Sequence, residues 1–224
     1  MNLRLLQLGD SALPIGGYSQ SSGLEAAVER GLVHDAASLE TWVSAWLRHA
    51  VAPLEGVVAA AVCRASSQGD WSRVCEANDL LEAVLTPPSL RHASAHMGGR
   101  LLALAECWPW AAAHVQRLRE VTTQSVWHHA VVFAVLAGAS GAEPTEAVLV
   151  YLHQAALGVI GAGVKAVPIG HTHGQQILAR LHDEMGQLAA DVAERDLDAA
   201  GSFCPRYEVL CDAQTRLYTR LFRS

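Results

Sequence analysis

The chain has 224 residues, of which 51% are hydrophobic and 17% charged, with a formal net charge of −6. That length can bury a sizeable core, and the balance excludes a disordered chain while leaving apolar surface for partners to cover. The mild negative charge, with no stretch clustering Lys and Arg among aromatic residues, excludes a nucleic-acid surface.

From the N-terminus, Leu5 to Ala27 sets Pro, Gly and Ser between two apolar helical segments, with few charges to solvate them. Pro14 fixes its own φ and pushes Leu13 toward extended backbone, and Gly16 and Gly17 allow positive φ, so this is a shaped surface loop, residues 10–22. Tyr18, beside the two glycines, can project from it. Ser21 or Ser22 is expected to cap a helix beginning near Gly23. Leu39, Trp42, Val43, Trp46, Leu47, Ala50, Leu54, Val57, Val58, Ala61 and Val62 then recur at three- and four-residue steps, with Ser38 as the expected cap. Pro53 lacks an amide donor and crowds the carbonyl of His49, so two helical pieces are expected there.

Asp70 is placed to cap a helix to about Leu85, which Pro87-Pro88 stops before the next begins at Pro88 or Ser89 and reaches about Trp108. Pro109 divides it from a segment through Val121. Val126 to Ala139 reads as a strongly apolar helix, and Pro144 suits the first turn of another whose apolar face is Val148, Leu149, Leu152, Ala155, Ala156 and Val159. The window Val148 to Gly170 is the most apolar of the chain. His153, Gln154 and Lys165 interrupt it and Gly161, Gly163 and Pro168 punctuate it, so it reads as a buried helix and turn, not a membrane span. A long amphipathic helix is expected from about Gly174 through Val192. Helical spacing resumes after Pro205 with Leu210, Ala213, Leu217 and Leu221. No segment alternates as strands do, and the expectation is a single all-α domain over 1–224, a bundle of roughly eight to ten helices.

Catalytic motifs are missing. There is no G-x-S-x-G elbow and no Walker-type loop, and Gly16 and Gly17 without strands do not make a dinucleotide fold. His171 and His173 alternate in a turn and His92 and His96 stand one helical turn apart, spacings that suit nickel or zinc. Two imidazoles do not close a site, so the first pair is read as a turn plus a helix start with Thr172 as its cap. A small helical metalloenzyme, or a direct nickel carrier, using His171 and His173 is the alternative. The five cysteines, Cys63, Cys75, Cys107, Cys204 and Cys211, lie far apart and form neither a disulfide framework nor a CxxC knuckle. With no secretory segment at the N-terminus, they point to a reduced, cytoplasmic protein. At the other end Arg216, Arg220 and Arg223 surround Tyr218, Leu221 and Phe222, a mixture favoured at interface anchors. A docked C-terminal helix would account for the same pattern.

Three ordered segments carry a family resemblance: Ala12-Leu13-Pro14-Ile15-Gly16-Gly17-Tyr18-Ser19 followed by Gly23-Leu24-Glu25-Ala26; Lys165 to Leu178; and Tyr218 to Ser224. The chain resembles UreF, the urease accessory protein. In the second segment the family's Pro-Leu-Gly-Gln-x-x-Gly-Gln stretch is met by Pro168, Gly170, Gly174 and Gln175, with His171 where the family usually has Gln. The resemblance implies an all-helical, noncatalytic scaffold that binds the UreD or UreH accessory protein, recruits the GTPase UreG and docks on apo-urease. It implies a homodimer, with nickel and GTP handled by the larger complex and no intrinsic cofactor. Pro14, Gly16, Gly17 and Tyr18, then Lys165, Pro168, Gly170 and Gln175, and finally Tyr218, Arg220, Leu221, Phe222 and Arg223 are the expected partner-binding residues. The tail 205–224 and the loop 10–22 are the expected contact segments.

Overall fold

The computed structural model describes residues 2–121 and 126–223. Among them there are helices and no strands: α1 (Leu3–Leu8), α2 (Leu24–Glu29), α3 (Ala36–Trp46), α4 (Val57–Gln68), α5 (Trp71–Val84), α6 (Pro88–Ala105), α7 (Ala112–Val121), α8 (His129–Ala139), α9 (Pro144–Ala166), α10 (His171–Arg180), α11 (His182–Ala193) and α12 (Pro205–Gln214). The all-α architecture expected from the sequence is the one found.

The organising element is a continuous helical rod of 33 residues, Ala36–Gln68. Pro53 does not divide it. The ten residues Leu47–Gly56 adopt π-helical hydrogen bonding, which carries the axis past the missing amide, and the Pro53 carbonyl accepts from the Gly201 N–H at 3.0 Å. Tertiary burial holds the rod together, because Val51, Ala52, Leu54, Val57 and Val58 are all inside the core. Its start is Asp35, whose side chain accepts from the Ser38 N–H at 2.8 Å. Ser38 occupies the third helical position and answers the cap rather than providing it.

Around α4 pack α5, α8 and α9, with α11 against α9 and the π-helical segment. From His129 to Ala137 every α8 residue is buried, which explains an apolar pattern with no polar face. This helix begins at His129, three residues later than the sequence pattern suggested. The Asn78 side chain accepts from the His128 N–H at 2.9 Å and donates to the Val126 carbonyl at 3.2 Å. That bridge satisfies Val126–His128 outside a helix, a competition that a local pattern does not reveal.

Other boundaries move for similar reasons. Helix α6 stops at Ala105, where Cys107 and Trp108 turn back to Leu104 and Ala105. The amphipathic run expected from Gly174 starts earlier, at His171, with Gly170 as cap in place of Thr172, and it breaks at Leu181 into α10 and α11. Gly23 caps α2, since neither Ser21 nor Ser22 is used there. Helical structure in the tail ends at Gln214, so Leu217 and Leu221 lie beyond it; Ser224 is outside the described residues. The rod and Pro144–Ala166 are long and apolar enough to cross a membrane by composition, yet both are core elements with α8, α10 and α11 packed on them.

Candidate functional site

The N-terminal loop and the C-terminal tail, some two hundred positions apart, lie against each other. Gly16 takes φ +89°, the left-handed value expected of a shaped turn, and Gly17–Ser19 forms one 3₁₀ turn that leaves Tyr18 72% exposed. Beneath the loop, Ser21 Oγ donates to Gln214 Oε1 at 2.9 Å, both side chains fully buried. That bond ties the start of α2 to the end of α12.

Past Gln214 the chain returns to the loop. The Arg223 N–H donates to the Ser19 carbonyl at 2.8 Å. The two oxygens of Glu25, in the first turn of α2, accept from the Leu221 N–H at 2.6 Å and the Phe222 N–H at 3.3 Å. A carboxylate holding two successive amides fixes the tail's register by charge-assisted bonds. Phe222, 5% exposed, is the buried peg, and Lys165 Nζ stands 5.7 Å from its ring centroid.

This changes the expected roles. Phe222 faces inward and anchors the tail on its own chain, so it is not free to engage a partner. Tyr218 at 101% and Leu221 at 71% exposure point out, as do Arg220 and Arg223. Tyr18, Tyr218 and Leu221 are thus large apolar groups held in water, a feature of unmade interfaces. Pro14, Pro168, Gly170 and Gln175 are exposed, and Lys165 links the Pro168 turn to the tail through Phe222. The sequence marks Ser21 only as a possible helix cap and Glu25 only within the family motif, and these contacts, like the role of Gln214, are not read from it. Their signal was weak because a first-turn Glu, a loop Ser and a helical Gln are ordinary residues until their partners are known.

His171 and His173 stand at the start of α10. His173 Nδ1 accepts from the Gly170 N–H at 3.2 Å, and both imidazoles are exposed. Among the described residues no group of three His, Cys, Asp or Glu could hold a metal ion. The five cysteines are free thiols, and burial pushes Cys63 and Cys211 up to about 12.

Below the face lies a cavity of about 410 Å³, lined from the loop, the π-helical segment, α6, α9 and α12. Gly17, Tyr18, Lys165 and His171 line it on the outer side; Trp46, Glu55, Tyr151 and Tyr207 line it further in. Tyr151 Oη donates to Glu55 Oε1 at 3.1 Å, and the Trp46 and Tyr207 rings are 6.4 Å apart, tilted by 56°. Burial raises Glu55 to about 7, against the smaller lowering by the Tyr151 hydroxyl. Burial, reinforced by the nearby Glu55 charge, pushes the Tyr151 phenol well up, and burial above all does the same for Tyr207. His129, also on the wall, is held neutral by burial at about 4, with Nε2 unpartnered.

The described residues thus form an all-helical body with one ordered face on which aromatic and basic side chains stand exposed. A sequence model of the UreF family matches residues 33–182. Proteins named urease accessory protein UreF are similar over nearly the whole length: 32% identity over 223 residues in Arthrobacter sp. strain FB24 (99% of this chain, 96% of that one). The Delftia acidovorans protein is 33% identical over 227 residues (98% and 95%), and that of Nostoc sp. PCC 7120 is 32% identical over 228 residues (99% and 95%). The chain belongs to the UreF family of urease accessory proteins.

Proposed function

We propose that this chain is a noncatalytic scaffold in urease maturation, which binds the UreD or UreH accessory protein and recruits the GTPase UreG onto apo-urease for GTP-dependent nickel insertion. The observation that carries the reading is the joining of loop 10–22, Lys165 and the tail into one ordered face with Tyr18, Tyr218, Leu221, Arg220 and Arg223 outward. Exposed aromatic and Arg side chains on a backbone already fixed bind with little ordering cost. Nickel and GTP belong to the partners in this scheme, and any effect on the GTPase cycle comes from how UreG is held. A homodimer working in the cytoplasm, without membrane or nucleic acid, completes the reading; the Pro168–Gln175 turn is a second contact or dimer surface.

The test is co-purification of the full chain with UreD or UreH, followed by addition of UreG with and without nucleotide, resolved by size-exclusion chromatography. A ternary complex supports the scaffold role. Separate elution of all components under both conditions overturns it. The nickel-carrier alternative is checked by equilibrium dialysis of the isolated chain, where stoichiometric nickel lost on H171A and H173A would favour it.

A further inference from the structure

We propose that the cavity beneath the loop–tail face is a binding site for a small organic ammonium ion, with Trp46, Tyr151 and Tyr207 supplying the ring faces and Glu55 the countercharge. These four side chains come from α3, α9, α12 and the π-helical segment, yet all line the same space. Ring faces carry negative quadrupole charge and attract a desolvated cation, and a carboxylate among them selects charge over mere shape. The volume of about 410 Å³ suits a compact ligand.

Three observations narrow the chemistry. Glu55 accepts a hydrogen bond from Tyr151 and takes part in none of the ion pairs among the described residues, while Lys165, the cation on the same wall, stands 5.7 Å from the Phe222 ring. A metal ion would need further oxygen, nitrogen or sulfur ligands, and no group of three titratable ligands is assembled here. An organic ammonium needs only what is present: aromatic faces, one carboxylate and apolar walls such as Leu54 and Val51. The π-helical bonding around Pro53 belongs to the same device, since Glu55 lies within that segment.

Other titratable groups face the same space: His129 from α8, Tyr151 and Lys165 from α9, His171 from α10, Tyr207 and Glu208 from α12, and Asp10 and Tyr18 from the loop. The test must therefore isolate Glu55. Calorimetric titration of the full chain would use choline and its neutral isostere 3,3-dimethylbutan-1-ol, which differ by one positive charge. Choline is expected to bind and the isostere not. Binding should strengthen between about pH 6 and about pH 8 as Glu55 ionises. Glu55→Gln should weaken choline at least about tenfold and abolish that pH dependence. Trp46→Leu should weaken it at unchanged pH dependence, giving a second reading if the Gln variant does not fold. Equal binding of the two isosteres, no binding of choline, or wild-type choline binding by E55Q would each overturn the proposal. Capture of UreD or UreH by E55Q is expected to match wild type, so this site and the docking face fail or stand separately.

Discussion

The rod with α8 and the loop–tail face are held by different physics. The first is held by buried apolar surface: α8 has no polar face, and the rod sets Val51, Leu54, Val57 and Val58 in the core beside it. The second is held by a few directional bonds, two to Glu25, one to Ser19 and one between Ser21 and Gln214, around a single buried ring. Burial of many methyl groups gives a cooperative body, whereas a handful of hydrogen bonds gives local order that opens without unfolding the rest. The contrast suits the proposed scaffold, a stable body carrying a face for partners.

Changes in the body should be the most damaging. A Cβ at Gly98 would lie 2.0 Å from the Trp127 carbonyl oxygen, which is backbone and cannot rotate away. Gly98→Val is expected to destabilise by about 3 kcal/mol or more and to lower the urea midpoint sharply. A midpoint within error of wild type would show that α6 and the start of α8 are less tightly apposed than described.

Deleting Tyr218 to Ser224 should instead leave helical circular dichroism and the urea midpoint nearly unchanged. Capture of UreD or UreH is expected to weaken by about 2 kcal/mol or more, read by calorimetry. If the truncated chain binds as tightly as the full one, the tail is only a clasp. A smaller effect of the same kind is expected from Glu25→Ala, which removes the acceptor of two amides. Hydrogen exchange at Leu221 and Phe222 should rise about tenfold with α8 unaffected, since each lost bond contributes about 1 kcal/mol.

The cavity wall lies between the two regions and should respond to pH. Glu55 is raised from 4.5 to about 7, so it favours the folded state while protonated. Its contribution is whole below pH 4.5 and is lost as pH rises toward 7. His129, lowered from 6.5 to about 4, acts oppositely: its contribution is present above pH 6.5 and lost as pH falls toward 4. In wild type the two slopes oppose each other between them. Glu55→Gln should therefore be more stable than wild type near pH 8, by on the order of 2 kcal/mol once partial solvation is allowed for, and show a steeper loss on acidification. Urea denaturation at the two extremes measures both parts, and parallel curves would contradict the assignment.

Much of this was legible in the chain itself. Apolar spacing at three and four residues, Asp70 at a helix start and Pro88 and Pro144 in first turns located most helices, because these signals are local and act through the backbone they sit on. The motif around Pro14 to Tyr18 and the aromatic and Arg tail were legible for the same reason, as local patterns of exposed groups, and the structure lays these two segments together. Tertiary packing alone decided that the chain passes Pro53 as a π-helical segment instead of breaking, that Val126–His128 stays outside the helix on Asn78, and that Phe222 turns inward while Tyr218 and Leu221 turn out. It also decided that Glu55, Trp46, Tyr151 and Tyr207 share one cavity. Each of these depends on a partner distant in sequence or on a whole set of neighbours, and burial and hydrogen bonding between such groups exist only once the body has closed around them.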